Sequence, residues 1–191
     1  MPLQNNEISI IYIYIYIYVV VIIIYVHFSY FFLLGWSIVI YYKITDDTLN
    51  QLNDNDVTSV CSPAVTLFSQ WCEKAHEDAA WRGRFKVIAS CSNLVELGMP
   101  SMITSYNAKP VLIRKTSTIY KTPEYIETCI HVFKFANMAK SPIHMCTSRC
   151  GLMDMEIGFT IEGRNDDELP ECLIGCVRIT KPQEAKTKKL L

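Results

Sequence analysis

The N-terminal part of the chain is a long stretch without a formal charge. From Ile8 to Tyr42 there is no Asp, Glu, Lys or Arg, and only Glu7 is charged before it. As an α-helix, rising about 1.5 Å per residue, this stretch exceeds the roughly 30 Å hydrocarbon core of a bilayer. A cleavable signal peptide does not fit, because no positive charge precedes the stretch and its apolar run is too long. The first interpretation is therefore a transmembrane helix, whose flanking charges give no Lys/Arg bias to orient it.

The same stretch contains a strict two-residue repeat. Ile and Tyr alternate from Ile11 to Tyr18, and alternation of β-branched and aromatic residues is typical of a strand rather than a helix. The codons ATA and TAT encode Ile and Tyr, so a translated TA dinucleotide repeat gives the same peptide. Two interpretations of this segment stay open: a real membrane span, or a gene-model artefact in which non-coding sequence is read as protein.

The rest of the chain has the composition of a folded domain. The whole protein has 18 Lys+Arg and 19 Asp+Glu, a net charge of −1, and 50% hydrophobic residues. A highly basic nucleic-acid-binding domain is excluded by this charge balance, and intrinsic disorder is excluded by the apolar fraction. Residues 43–191 match the usual size of a single domain, about 150 residues.

Local patterns predict one helix early in this domain. Ser62 followed by Pro63 is typical of a helix start, and apolar residues then recur at helical spacing until Gly83, which is predicted to end the helix. The polar segment Leu49–Val57 before it is predicted to be a loop. A second helix is predicted over Asn137–Cys150, provided that Pro142 falls in its first turn.

Alternating patterns predict strands between and after these helices, with Pro110–Lys115 and Ser117–Lys121 paired as a hairpin. The other predicted strands are Arg84–Ser90, Tyr125–Phe133, Met153–Glu162 and Leu173–Thr180. Short polar turns between consecutive strands favour antiparallel pairing. The predicted fold class is α+β: a mainly antiparallel sheet with two covering helices, preceded by an apolar N-terminal segment.

No catalytic, metal or cofactor site is predicted. Cys172 and Cys176 lie four residues apart, directly before and within the predicted strand Leu173–Thr180. Extended backbone separates them by about 13 Å, too far for one zinc ion. They are interpreted as small buried apolar residues. The four histidines fall on different elements, and no glycine-rich phosphate loop is present. The residues therefore indicate no particular reaction, and no cofactor is expected.

Basic residues form two candidate contacts for anionic lipid headgroups, each charge contributing about 1 kcal/mol near such a surface. The first lies around the strand after Gly83, and the second in the basic tail, residues 181–191. The candidate residues are Arg82, Arg84, Lys86, Lys186, Lys188 and Lys189. The alternative for the tail is a disordered solubilising segment.

The segment from Phe159 to Ile179 resembles the most characteristic stretch of the plant Enhanced Disease Resistance 2 C-terminal domain family. In that pattern an apolar strand ends in Ile-Glu and is followed by an acidic turn, Glu-Leu-Pro-Glu, a Gly and Val-Arg. The matching positions are Ile161, Glu162, Asp167, Glu168, Leu169, Pro170, Glu171, Leu173, Gly175, Val177 and Arg178. Residues 84–88, 109–113, 125–127 and 36–42 are similar to further family segments in the same order.

The resemblance implies a partial family domain over residues 35–180, after an apolar segment at 1–34 that is either the membrane span or the artefact. The chain then looks like an N-terminally truncated member, or one whose gene prediction is wrong at its start. Family members follow pleckstrin-homology and START domains, so the resemblance implies a non-enzymatic regulatory domain associated with lipid or membrane at the cytosolic face. The expected partner is anionic membrane lipid, with no nucleic acid and no identifiable protein partner. A real N-terminal span would make it a single-pass membrane protein. The alternative function is a protein-interaction scaffold without lipid affinity.

Overall fold

The computed structural model describes residues 8–13, 19–27, 35–53, 61–123, 125–182 and 188–190. The strands in chain order are β1 (Ile8–Ile13), β2 (Val19–His27), β3 (Gly35–Lys43), β4 (Phe85–Cys91), β5 (Pro110–Leu112), β6 (Ser117–Lys121), β7 (Ile126–His131), β8 (Asp154–Ile161), β9 (Leu173–Thr180) and β10 (Lys188–Leu190). The α-helices are α1 (Asp46–Asn53), α2 (Pro63–Lys74), α3 (Ala79–Arg82), α4 (Ser101–Thr104) and α5 (Asn137–Thr147). Short 3-10 helices span Val132–Lys134, Cys150–Leu152 and Asp166–Glu168.

The predicted start of α2 is confirmed. Ser62 is the N-cap, and its side chain accepts a hydrogen bond from the Val65 N–H, while Pro63 occupies the first helical position. The predicted continuation to Gly83 is wrong, because α2 ends at Lys74. Asp78 caps a separate helix, α3, by accepting a hydrogen bond of 2.7 Å from the Ala80 N–H. A new cap inside the periodic stretch therefore divides one predicted helix into two.

The predicted loop over Leu49–Val57 is wrong where it overlaps α1. The Thr45 hydroxyl accepts a hydrogen bond from the Thr48 N–H, and Asp46 and Asp47 occupy the first turn, where negative charge is favourable. Helix α5 is confirmed, but Pro142 lies inside it rather than in its first turn. Packing offsets the lost hydrogen bond, since Ile143 and Cys146 of α5 pack against the two buried clusters of the protein.

Two sheets make up the β-structure of the described residues. The smaller one has the strand order β5-β4-β8-β9 and is antiparallel throughout. The larger one has the order β10-β1-β3-β2-β7-β6, with β1/β3 and β2/β7 parallel and the other pairs antiparallel. The α+β class with mainly antiparallel pairing is confirmed.

The predicted hairpin of β5 with β6 is wrong. Strand β5 pairs with β4, whereas β6 pairs with β7 in the other sheet. The chain crosses between the sheets just after β5, where Ile113 is buried and its N–H donates to the Phe85 carbonyl at 2.8 Å. Burial of Ile113 thus holds β5 on β4 and prevents a tight turn to β6.

An aromatic stack forms the centre of the core. Trp71 of α2 stacks on Phe85 of β4 at a ring distance of 5.5 Å, and Phe85 stacks on Phe159 of β8 at 5.8 Å. Tyr42 of β3 meets Phe159 edge-on at 6.0 Å. Trp71, Phe85 and Phe159 are fully buried. Helix α2, the small sheet and the large sheet are therefore packed around one continuous hydrophobic core.

The apolar N-terminal segment contributes strands where it is described. Backbone pairing places β2 between β3 and β7, and β1 beside β3. Residues 1–7, 14–18 and 28–34, which include most of the Ile-Tyr repeat, lie outside the described residues. Among the helices that the structure describes, none combines the length and the apolar character needed to cross a membrane.

Candidate functional site

Six of the eleven residues of the family-like pattern lie on the connection between β8 and β9, residues 162–172, which we name the signature turn, and the other five lie on β8 and β9. The turn is anchored where it leaves β8, because the Glu162 N–H donates to the Arg84 carbonyl at 2.8 Å. Asn165 and Glu168 form a reciprocal capping box around the short 3-10 helix of the turn. The Leu169-Pro170 peptide bond is cis. Local hydrogen bonds therefore give this polar segment a defined shape.

Glu168 forms an ion pair with Arg84 of the segment before β4, 84 positions away in the sequence. The Arg84 Nη1 to Glu168 Oε1 distance is 2.8 Å, and the two side chains are only 11% and 12% exposed. The other carboxylate oxygen accepts hydrogen bonds from the N–H groups of Arg164 (2.6 Å) and Asn165 (3.2 Å). The Arg84 guanidinium also lies over the Trp81 ring, 4.0 Å from its centroid.

These contacts decide the charge of Glu168. Burial acts to raise the pKa of its carboxyl, but the two backbone N–H donors and the Arg84 guanidinium outweigh that effect, so the pKa lies below its usual range. A general acid or base works best with a pKa near the operating pH. Glu168 is thus held as a carboxylate and is poorly suited to proton transfer.

Glu171 forms a second ion pair, with Lys86 of β4. The Lys86 ammonium lies 2.7 Å and 2.9 Å from the two carboxylate oxygens of Glu171, and the Gly163 N–H donates to one of them at 3.0 Å. The side chains of Lys86 and Glu171 are 16% and 26% exposed. Two partly buried ion pairs therefore fasten the signature turn to the beginning of β4.

The residues predicted to contact lipid headgroups lie on different elements and have different partners in the structure. Arg84 and Lys86 lie together, but each is paired with a carboxylate of the signature turn. Arg82 is partly exposed at the end of α3. Lys188 and Lys189 belong to β10, and Lys186 lies outside the described residues.

The remaining pattern residues are dispersed around the turn. Glu162 pairs with Arg164 at 3.0 Å, Asp167 is exposed, and Leu169 is 45% exposed. Arg178 is 3.7 Å from Glu156 on the surface of the sheet. Gly175 lies against Tyr42: a Cβ at Gly175 would come within 2.8 Å of the tyrosine ring. The absence of a side chain at Gly175 therefore allows the Tyr42 ring to pack directly against β9.

The eight cysteines differ in burial. Burial of Cys172 and Cys176 was the expectation, and it is wrong, because both are exposed. Burial raises the pKa of Cys150 to about 11, which keeps that thiol protonated at neutral pH. Among the residues the structure describes, no group of three or more His, Cys, Asp or Glu has an arrangement that could hold a metal ion.

One group of surface residues was missed by the sequence reading. Val95, Met102 and Tyr106 on the connection between β4 and β5 are 80%, 49% and 66% exposed. The available signal was their position: large apolar residues in a connection containing Gly98 and Pro100, where turn residues are usually polar.

Comparison with known proteins identifies the family. The model of the family described as "Protein ENHANCED DISEASE RESISTANCE 2, C-terminal" matches residues 16–182, most of the chain. The chain therefore belongs to the Enhanced Disease Resistance 2 C-terminal domain family. The match begins inside the apolar segment, and it includes all of β2 and β3 and the whole signature turn. Searches of curated proteins and of solved structures give no significant match.

Proposed function

We propose that the chain is a non-enzymatic regulatory domain that associates with the cytosolic face of a membrane by contacting anionic lipid. The family membership supports the domain assignment. The lipid contact is a further step, and it is carried by one observation, the position of the basic tail. The alternative of a lipid-independent protein scaffold is an outcome of the test described below.

The part of the basic tail that the structure describes at its end, β10, lies beside the apolar strand β1. Strand β10 pairs antiparallel with β1, so that Lys188 is opposite Ile10 and Lys189 is opposite Ser9. This pair forms the edge of the large sheet. An apolar strand with lysines next to it combines two features that favour an anionic bilayer: apolar area for the interface and positive charge for the headgroups.

The ion pairs narrow the set of lipid contacts. Arg84 and Lys86 are engaged by Glu168 and Glu171, so their charges are balanced within the protein. The proposal therefore assigns headgroup contact mainly to Lys186, Lys188 and Lys189, with Arg82 as an additional cation. At about 1 kcal/mol per charge, the three lysines together correspond to roughly a hundredfold in vesicle affinity.

Vesicle flotation of the full chain tests the proposal. We expect binding to phosphatidylcholine vesicles that contain phosphatidylserine or a phosphoinositide, weaker binding at high salt, and little binding to phosphatidylcholine alone. Replacing Lys186, Lys188 and Lys189 by Ala is expected to weaken binding by up to about a hundredfold.

The matched control replaces Lys115, Lys121 and Lys134 by Ala, which changes the net charge equally at exposed positions elsewhere. The control variant is expected to bind nearly as the unmodified chain does. Failure of the full chain to float with any anionic vesicle would reject the lipid proposal. Recovery of a stable protein partner from cytosol would then favour the scaffold.

A further inference from the structure

One end of the small sheet carries three connections that are hydrogen-bonded to one another. The Ser92 N–H donates to the Asp154 carbonyl, the Asn93 side chain donates to the Leu152 carbonyl, and the Lys181 N–H donates to the Met153 carbonyl, at 2.8 to 3.0 Å. Residues 92–109, 148–153 and 181–182 therefore meet beyond the ends of β4, β8 and β9. We name these three segments the tip. The signature turn lies at the opposite end of the same strands.

The tip is a preformed structure. Its own buried cluster lies beneath it and consists of Cys91, Leu94, Met99, Ile103 and Met153. The Asn107 side chain bonds both the N–H and the carbonyl of Cys91, at 2.8 Å and 3.1 Å. The tip therefore presents its surface on a fixed base rather than on a loose loop.

Four large apolar side chains of the tip are exposed. Val95 is 80% exposed although its neighbour Leu94 is buried, and Leu152, Tyr106 and Met102 are 58%, 66% and 49% exposed. These four side chains are therefore not part of the hydrophobic core. Several large apolar groups at one end of a domain are typical of an interaction surface.

Cations accompany the apolar groups. The Lys109 ammonium lies 5.7 Å from the centre of the Tyr106 ring, and the Arg149 guanidinium contacts the Met99 sulfur at 3.5 Å. Lys181 is exposed directly after β9. The three tip segments contain these three cations and one carboxylate, that of Glu96, and Asp154 follows directly in β8. The tip is therefore apolar and net positive, whereas the whole chain has a net charge of −1.

We propose that the tip inserts into the surface of an anionic bilayer. Val95, Met102, Tyr106 and Leu152 enter the boundary between headgroups and acyl chains, and Lys109, Arg149 and Lys181 contact the anionic headgroups. Tyr favours this boundary because its ring is apolar and its hydroxyl is polar, and Lys and Arg reach the headgroups with long side chains. The inference rests on the proposed function for its partner, but it assigns insertion to a different part of the molecule.

A tyrosine pair gives a matched test. Tyr106 of the tip and Tyr120 of β6 are 66% and 54% exposed, so Tyr106→Ser and Tyr120→Ser remove the same side chain from similar exposure. In flotation with phosphatidylcholine–phosphatidylserine vesicles, Tyr106→Ser is expected to weaken binding by about tenfold, and Tyr120→Ser by less than about twofold. Val95→Asp is expected to weaken binding at least as much as Tyr106→Ser. Unchanged circular dichroism and melting temperature establish that each variant is folded.

Hydrogen–deuterium exchange of the full chain with and without these vesicles locates the contact. Protection of residues 92–109 supports insertion of the tip. If protection is confined to β1 and β10, and Tyr106→Ser and Val95→Asp bind normally, the proposed insertion of the tip is overturned. The proposed function then remains in place. Absence of vesicle binding would overturn both. Loss of self-association in Tyr106→Ser, without any change in vesicle binding, would make the tip a contact between copies and would also overturn the proposal.

Discussion

Glu168 and Glu171 show why the acidic residues of the family pattern belong with basic residues far away in the chain. Each carboxylate pairs with a cation at the start of β4, and each also accepts backbone N–H bonds within its own turn. The sequence identified both the acidic turn and the basic strand, but it nominated Arg84 and Lys86 as headgroup contacts and did not predict their ion pairs. Local pattern carries no information on a pairing that spans 84 positions, so only the folded chain brings these charges together.

The Glu168 ion pair predicts a large and selective loss of stability. Glu168→Gln removes the charge that balances Arg84, which is mostly buried, and is expected to lower the free energy of unfolding by about 2 to 4 kcal/mol. Glu156→Gln is the control, since Glu156 and Arg178 are 61% and 68% exposed and 3.7 Å apart. That change is expected to cost less than about 1 kcal/mol. Urea unfolding at neutral pH measures both.

The pH dependence of the unfolding free energy is a second test of the Glu168 ion pair. The pKa of Glu168 is lower in the folded protein than in the unfolded chain, so its contribution to stability is complete above the unfolded value of about 4.3. The contribution is lost as the pH falls through the folded pKa. The stability difference between the unmodified chain and Glu168→Gln should therefore shrink in acid below about pH 4. A difference that stays constant down to pH 2 would contradict this assignment.

At the scale of elements, the sequence predicted what depends on neighbouring residues and missed what depends on distant ones. The Ser62 cap and the strands β8 and β9 follow from local chemistry and alternation, and the structure confirms them. The pairing of β5 was missed, because the choice between β4 and β6 depends on where Ile113 is buried. The exposure of Cys176 was missed because alternation does not reveal which face of a strand is covered, and that of Cys172 because it lies in the signature turn, before β9 begins.

The contact between β9 and β3 can be tested by adding one methyl group at Gly175. Gly175→Ala would place its Cβ 2.8 to 3.0 Å from three atoms of the Tyr42 ring, and that ring already packs on Phe159. We expect a loss of about 1 to 3 kcal/mol in unfolding free energy as the ring is displaced. Gly151→Ala is the control, because its nearest neighbour would be at 3.4 Å. Equal stability of the two variants in thermal unfolding would argue against close packing of Tyr42 on β9.

At the scale of the whole molecule, the small sheet has one end closed by ion pairs and one end that is apolar and positive. Glu168 and Glu171 of the signature turn are paired with Arg84 and Lys86, whereas the tip and the basic tail each contain more cations than carboxylates. Lys181 of the tip and Lys188 of β10 are seven residues apart, so the chain allows at most about 25 Å between them. The distance between Lys181 and Lys188 therefore does not prevent both from contacting one bilayer surface.

Simultaneous contact predicts that the two surfaces contribute independently to vesicle affinity. Combining Tyr106→Ser with alanine at Lys186, Lys188 and Lys189 should weaken binding by the product of the separate losses, since free energies of distant sites add. The control combines the lysine changes with Tyr120→Ser, which should bind as the lysine variant alone does. Quantitative flotation over a range of lipid concentrations measures the vesicle affinity of the unmodified chain, of Tyr106→Ser, of the lysine variant, of their combination and of the control. A combined variant no weaker than the poorer single variant would mean that the tip and the tail do not contact the bilayer together.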